Sequence, residues 1–288
     1  MAVNLQTIKD IRNYLSAELV KIYPELEISS ITRIIITSVL GIDRLSFHSR
    51  KELPVSQEDA DKVVHICDEL KTGKPIQYIL GETHFYDCII KVNDSTLIPR
   101  PETEELVDFI IRDNKGFRGK IMDIGSGSGC IAVALAVNLP DAEIKGIEIS
   151  EEAVMTAIEN AKLNNVKITF LKADLFDKEL YTMEKVDIIV SNPPYVLNSE
   201  KQYMCINVID FEPHTALFVP DNDPLVFYRG ILDMAEHILN RGGKLYFEIN
   251  EKMGKEMYQL LHSYRYKEIT IVPDINGKER ILKGRKDV

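Results

Sequence analysis

Cysteine is scarce and scattered in this chain. Cys67, Cys88, Cys130 and Cys205 are the four present; no two form a CxxC pair, and no histidine cluster completes a zinc spacing. A zinc module is therefore not expected, and cysteines so placed suit a reducing compartment. Long apolar runs are missing too. No segment approaches the ~20 residues that span a bilayer, and the opening MAVNLQTIKDIRNYL lacks the apolar core of a signal peptide. A cytoplasmic protein with no membrane attachment is the expectation. Excess positive charge is also absent: 35 Lys and Arg against 45 Asp and Glu leave a formal net charge of −10. A grip on bare nucleic acid usually needs a basic surface, so no direct nucleic-acid partner is expected, although a local basic patch is compatible with the total. The acidity suits a basic protein partner and, more simply, solubility. Internal repeats and low-complexity segments are lacking. With 45% hydrophobic residues, the 288-residue chain can bury the core of one large domain, or of a standard domain and a small one.

What is present divides into three stretches. Residues 1–75 read as a small helical domain. LQTIKDIRNYLSAELV has apolar residues at helical spacing. SSITRIIITSVL is rich in β-branched residues that favour a strand, yet Ile31, Ile34, Ile35 and Val39 fall on one helical face, and a helix is predicted. Ser56 followed by Asp59 marks a helix start, and Gly73 a helix end. Residues 76–98 alternate aromatic and β-branched residues between turn signals at Gly81 and Asn93-Asp94; this reads as a β-hairpin linker. From residue 99 to 288, after Pro99-Arg100-Pro101, strands and helices alternate: KIMDIG, EIKGIEIS, KITFLKADLF, VDIIVSNPPY and KLYFEIN as strands, with helices between most of them and a closing hairpin from EITIVPDI and RILKGR. Repeated βα units imply an α/β fold with a mostly parallel sheet. Ligands of such sheets bind beyond the C-terminal strand ends.

Two loops carry candidate chemistry. Asp123-Ile124-Gly125-Ser126-Gly127-Ser128-Gly129 joins the first strand to its helix. Its glycines allow a tight turn and close ligand approach, and N–H groups at the helix start can meet polar ligand atoms. The spacing is G-x-G-x-G and not the G-x-G-x-x-G of nicotinamide sites; an ordinary strand-to-helix turn remains the competing reading. Glu148 ends the second strand, where a carboxylate can accept from ribose hydroxyls or simply be solvated. Asp174 closes the third strand, either beside an adenine amino group or as a cap. Asp123 either orients a methionine amine or shapes the loop. The second loop is Asn192-Pro193-Pro194-Tyr195, after the fourth strand. Two prolines remove two donors and fix the backbone, leaving the Asn192 side-chain oxygen and a carbonyl, that of Pro193, as acceptors. Two acceptors match the two hydrogens of a planar –NH2, on whose face Tyr195 can stack. A delocalised amide nitrogen is a poor nucleophile, and accepting both hydrogens aims its lone pair at an electrophile. The nitrogen becomes very acidic once methylated, so no general base is assigned.

These loops occur beside Lys74-Pro75-Ile76-Gln77-Tyr78-Ile79-Leu80-Gly81, Leu97-Ile98-Pro99-Arg100-Pro101-Glu102-Thr103-Glu104, Phe211-Glu212-Pro213 with Ala216-Leu217, and Asn276-Gly277-Lys278-Glu279-Arg280. With those blocks the chain resembles the release factor glutamine methyltransferases of the HemK/PrmC type. The resemblance implies a Rossmann-like class I methyltransferase domain behind a small helical domain that helps hold the release factor. It implies S-adenosyl-L-methionine as cofactor, bound by Gly125–Gly129 and Glu148, and the glutamine of a release factor's GGQ loop as substrate, met by Asn192–Tyr195. Two departures stand out. Glu148 replaces a more usual Asp, and Leu175 stands where some members carry an aromatic near the adenine. Arg100 either clamps a carboxylate or ties the hairpin to the domain. A monomer is expected. NPPY alone is shared with adenine-N6 methyltransferases of nucleic acid, which also need a base-flipping pocket and a phosphate-binding surface. A non-enzymatic binding module is the other alternative, against which the intact GSGSG and NPPY speak.

Overall fold

The computed structural model describes residues 5–42 and 51–287. Residues 1–4 and 43–50 of the expected helical stretch, and Val288, lie outside it. Contacts divide the chain into two units, Met1–Gly81 with Cys205–Phe211, and Glu82–Met204 with Glu212–Val288.

The first unit is helical: α1 (Ile8–Leu19), α2 (Glu25–Leu40), α3 (Gln57–Lys71), α4 (Ile76–Leu80) and, far along the chain, Ile206–Phe211. Thr7 caps α1 in a reciprocal box: its hydroxyl accepts from the Asp10 N–H while Asp10 Oδ2 accepts from the Thr7 N–H. The β-branched run is helical, as predicted. Ile31 and Ile35 are buried, Ile34 and Val39 pack at the core margin, and Gly41 ends α2 at φ 63°. Burial of one apolar face outweighs the modest helix cost of β-branching. Ser56 caps α3 at Asp59 N, and Gly73 follows its end at φ 88°.

Between Pro75 and Gly81 the chain is helix, where a hairpin strand was expected. Pro75 precedes the first helical residue with its φ already set, and Gly81 at φ 75° stops α4 after little more than a turn. The hairpin is shorter, β1 (Glu82–Phe85) against β2 (Cys88–Lys91). Its turn is Tyr86-Asp87, both at positive φ, and neither Gly81 nor Asn93-Asp94 closes it. It belongs to the second unit and is fastened there: Asn160, fully buried, accepts from Lys91 N at 2.7 Å and donates to Lys91 O and Ser128 O, both at 2.9 Å.

The second unit continues with α5 (Pro101–Asp113), β3 (Lys120–Ile124), α6 (Cys130–Asn138), β4 (Glu143–Glu148), α7 (Glu151–Leu163), β5 (Thr169–Lys172), β6 (Val186–Ser191), α8 (Val226–Ile238), β7 (Leu239–Glu248), α9 (Gly254–Ser263), β8 (Lys267–Pro273) and β9 (Glu279–Arg285). The sheet has seven strands in the order β8-β9-β7-β6-β3-β4-β5. β5, β4, β3, β6 and β7 run parallel, and β9 enters antiparallel between β7 and β8. Tyr228, Ile231 and Met234 of α8 pack with Ile189, Leu245 and Phe247 of the sheet. From β3 the chain goes outward to β4 and β5, then returns to β6 on the other side of β3. The loops after β3 and β6 therefore face each other at the reversal point, where α/β sheets hold ligands. Among the described residues no helix is long and apolar enough to cross a membrane, and no group of His, Cys, Asp and Glu is placed to hold a metal.

Candidate active site

A cleft of about 1100 Å³, open solvent at its mouth included, lies at that reversal point. Ile124–Ser128 at the end of β3, Ile147–Ser150 at the end of β4, Ala173–Leu175 after β5 and Ser191–Pro194 at the end of β6 line it. Gly125, Gly127 and Gly129 all have left-handed backbones, at φ 70°, 54° and 77°. A Cβ at Gly125 or Gly127 meets nothing within 4 Å, so the cleft approaches bare backbone there. Gly129 differs. It does not line the cleft, and a Cβ on it would lie 2.9 Å from Ala157 and Phe170, so its smallness serves packing of α6 against α7 and β5. The N–H groups of Gly125, Ser126, Gly127 and Gly129 are all engaged within the protein. The expected supply of loop amides for a ligand is reduced accordingly.

Glu148 explains part of this. Its Oε2 accepts from Gly127 N at 2.8 Å, and its Oε1 from Ile149 N at 2.8 Å and Ser150 N at 3.0 Å. The carboxylate thus clamps two loops together. It offers about four lone-pair sites, so three bonds leave one position for a ribose hydroxyl. A second requires the release of a backbone partner. Glu148→Ala removes both roles, and S-adenosylmethionine affinity is expected to fall by about 1–3 kcal/mol together with a lower melting temperature. Calorimetry and a melting scan on one preparation check this, and unchanged affinity in folded protein returns Glu148 to a loop clamp alone.

Asp174 stands two residues beyond β5 and combines both readings: it lines the cleft while its Oδ1 accepts from Phe176 N at 2.9 Å. Leu175 forms wall beside it. Phe227, which the sequence reading did not single out, supplies an aromatic to the same cleft from the start of α8, its ring 5.9 Å from that of Phe176. Asp123 is fully buried and does not line the cleft. Neither of its carboxyl oxygens has a hydrogen-bond partner. Burial pushes its carboxyl up to about 7, and the Ala132 amide opposes the shift without reaching bonding geometry. Direct contact with a ligand is therefore not available to Asp123. Ser126 is buried, its hydroxyl directed at Asp123 O and Ile147 O; buried Ser128 Oγ has no partner.

The second loop follows β6. Asn192, Pro193 and Pro194 line the cleft, and Asn192 and Pro193 also line a smaller adjoining cavity with Leu97, Arg100 and Tyr195. Asn192 Nδ2 donates to Thr103 Oγ1 at 3.1 Å, Thr103 Oγ1 donates to Glu248 Oε2 at 2.6 Å, and Tyr195 Oη donates to Glu248 Oε1 at 2.9 Å. Tyr195 is therefore tethered by its hydroxyl, and it lines the smaller cavity and not the main cleft. Burial raises the Glu248 carboxyl, with the Thr103 and Tyr195 hydrogen bonds and nearby Arg280 pulling the other way. Arg280 Nη1 in turn donates to Ile249 O at 3.2 Å. Arg100 has its partner inside the chain: it pairs with Glu212 at 2.6 Å, whose other oxygen accepts from Ile98 N at 3.3 Å. Thr103, Glu248 and Glu212 were missed as a group because they are 53–145 residues from their partners in sequence; only the fold makes them neighbours.

Comparison with known proteins agrees with this layout. The profile of the PrmC N-terminal domain matches residues 10–81, and that of the methyltransferase small domain residues 103–212. A release factor glutamine methyltransferase of Flavobacterium psychrophilum is 45% identical over 280 residues, 96% of this chain and 98% of that protein. One of Bacteroides thetaiotaomicron is 42% identical over 273 residues, 95% and 98% of the two chains. The chain belongs to the release factor glutamine methyltransferase family. It is an S-adenosylmethionine-dependent methyltransferase, and the bare-backbone cradle at Gly125 and Gly127, the acids Glu148 and Asp174 and the apolar wall of Leu175 and Phe227 fit that cofactor. Among solved structures, a methyltransferase of Pyrococcus furiosus superposes with a TM-score of 0.52 at 15% identity, over 81% of this chain and all of that one. A 16S rRNA methyltransferase of Thermus thermophilus gives 0.51 at 17% identity, over 71% and 49%. At such identities the likeness is one of fold. The family's separate sequence blocks meet in space: the Arg100 and Glu212 blocks through their ion pair, the Thr103 block and the NPPY loop through Asn192.

Proposed function

We propose that this cleft transfers a methyl group from S-adenosylmethionine to the side-chain amide nitrogen, N5, of the glutamine in the GGQ loop of a peptide chain release factor. The observation that carries the reading is the state of Asn192. Its Nδ2 is engaged by Thr103, so its Oδ1 is the atom left to accept a hydrogen from a planar –NH2. The Pro193 carbonyl, on a backbone held by two prolines, is the second acceptor. Gly125, Gly127, Glu148, Asp174, Leu175 and Phe227 hold the cofactor, which when bound supplies an electrophilic methyl on a sulfonium. Asn192 and Pro193 orient the amide and draw electron density onto its nitrogen. Preorganised acceptors of this kind need no rearrangement during reaction. Tyr195 bounds the smaller cavity through which the glutamine side chain enters. The helical N-terminal unit holds the release factor. In this reading the enzyme is cytoplasmic and monomeric and acts on protein and not nucleic acid, in keeping with the net charge of −10.

Purified release factor, DNA and RNA, each incubated with the enzyme and methyl-labelled S-adenosylmethionine, test the proposal. Label is expected on the release-factor glutamine alone. Label on adenine with none on the release factor rejects it in favour of a nucleic-acid amine.

A further inference from the structure

We infer that Thr103 and Glu248 are positioning residues for the transfer: the carboxylate sets the direction of the Thr103 hydroxyl, and that hydroxyl sets which end of the Asn192 amide meets the substrate. The inference rests on the amide-orienting reading of Asn192 above and adds two residues to it.

The argument is one of counting hydrogens. Glu248 is 1% exposed and Thr103 2% exposed, so water does not complete their bonding. Burial works against the Glu248 charge, but two hydroxyls donate to it and Arg280 lies near, which favours the ionised form, and an ionised carboxylate only accepts. The Tyr195 hydroxyl donates to one of its oxygens, at 2.9 Å, and the Thr103 hydroxyl to the other, at 2.6 Å. A threonine hydroxyl has one hydrogen. Once that hydrogen is directed to Glu248, Thr103 Oγ1 presents only lone pairs elsewhere, and a lone pair receives Asn192 Nδ2–H at 3.1 Å. The opposite flip of the Asn192 amide would set Oδ1 against those lone pairs, two acceptors with no hydrogen between them. It would also turn Nδ2 toward the substrate –NH2, donor against donor. A terminal amide rotates about a soft torsion, so without this chain of bonds both flips are populated and one is unproductive.

Glu248 is itself held on several sides. Tyr228 Oη donates to its main-chain oxygen at 2.9 Å, and Arg280 donates to the next carbonyl, Ile249 O, at 3.2 Å. Thr103 sits in the first turn of α5, behind Pro101. The relay therefore joins the first turn of α5, the end of β6 and the end of β7, three rigid elements, which suits a device that holds a side chain at an angle.

Three proteins test the inference: the wild type, Thr103→Val and Thr103→Ser. The valine is close to isosteric but has neither hydrogen nor lone pair; the serine restores both. Each is measured for kcat on purified release factor, for S-adenosylmethionine affinity by calorimetry, and for melting temperature. In Thr103→Val we expect kcat to fall about ten- to a hundredfold, with cofactor affinity within about twofold. Thr103→Ser is expected to recover most of the lost turnover. A Thr103→Val enzyme with wild-type kcat overturns the inference, as does an equal loss of kcat in the valine and serine variants, which assigns the effect to the missing methyl and packing. A loss of cofactor affinity that matches the loss of kcat overturns it too. Failure of the underlying reading is separate: the wild type itself then does not methylate the release factor, whatever residue 103 is.

Discussion

Asn192→Ala is expected to lower kcat by roughly 10²–10³, the loss typical of a preorganised polar partner of a transition state. Cofactor affinity changes little, because the Gly125–Ser128 turn, Glu148 and Asp174 stay in place. The loss exceeds that of Thr103→Val, since the alanine removes the acceptor itself and the valine only releases its orientation. Asn192→Asp sharpens the comparison. Its shape is nearly that of asparagine and it keeps acceptor oxygens, which by itself favours residual activity. The structure adds an obstacle: Thr103 Oγ1 offers a lone pair to this position, its hydrogen being directed at Glu248. A carboxylate oxygen at that place meets an acceptor, and the negative charge lies near a buried carboxylate. The aspartate variant is therefore expected to fall nearer to alanine than to wild type, with a lower melting temperature. Single-turnover rates with the release factor, run beside calorimetry and melting scans, separate the cases. Normal turnover in folded Asn192→Ala protein sinks the amide-orienting mechanism.

The largest expected effect on stability is at Arg100. Its guanidinium pairs with Glu212, whose side chain is 1% exposed. Arg100→Ala leaves that carboxylate buried with the Ile98 N–H as its remaining hydrogen-bond partner. Breaking a buried pair by removing one member costs several kcal/mol; because Arg100 is itself partly exposed, about 3 kcal/mol is expected, the low end of the range. For a unit of this size that corresponds to a fall of roughly 6–12 °C in melting temperature. Adding Glu212→Gln to Arg100→Ala replaces the stranded charge by a neutral amide and is expected to recover part of the loss. A melting temperature unchanged in Arg100→Ala removes the pair from the account of stability. Arg100 also lines the cleft, so activity falls as well. Recovery of stability in the double variant without recovery of turnover separates its two contributions.

Much of this molecule is legible in the order of its residues because the relevant physics is local. Apolar spacing puts Ile31 and Ile35 on one face of a helix; Ser56 caps the turn that follows it; the βα alternation implies a parallel sheet; left-handed turns at Gly125 and Gly127 follow from glycine's tolerance of positive φ. The diproline after Asn192 removes two backbone donors from its loop wherever that loop lies. Each of these follows from a window of a few residues. The local rule failed within such a window at Ile76–Leu80. There aromatic and β-branched residues suggested a strand, and the chain between Pro75 and Gly81 formed a helix that buries Ile76 in the first unit's core. Burial outweighed propensity.

Which oxygen, hydroxyl or ring faces which was decided only when distant segments came together. Glu148 is a plausible ribose acceptor from its place at a strand end, but its three bonds to Gly127, Ile149 and Ser150 depend on how β3 and β4 lie side by side. Asp123 is an obvious acid in the sequence, yet closure of the sheet buries it out of reach of the cleft. Phe227 enters the wall from α8, more than fifty residues after Leu175. The amide flip at Asn192 is determined by Thr103 and Glu248, 89 residues before it and 145 residues beyond Thr103. Backbone preferences are carried by neighbours along the chain, so they are written in sequence order. The direction of a buried hydrogen bond depends on which groups are desolvated together, and that is a property of the folded packing alone.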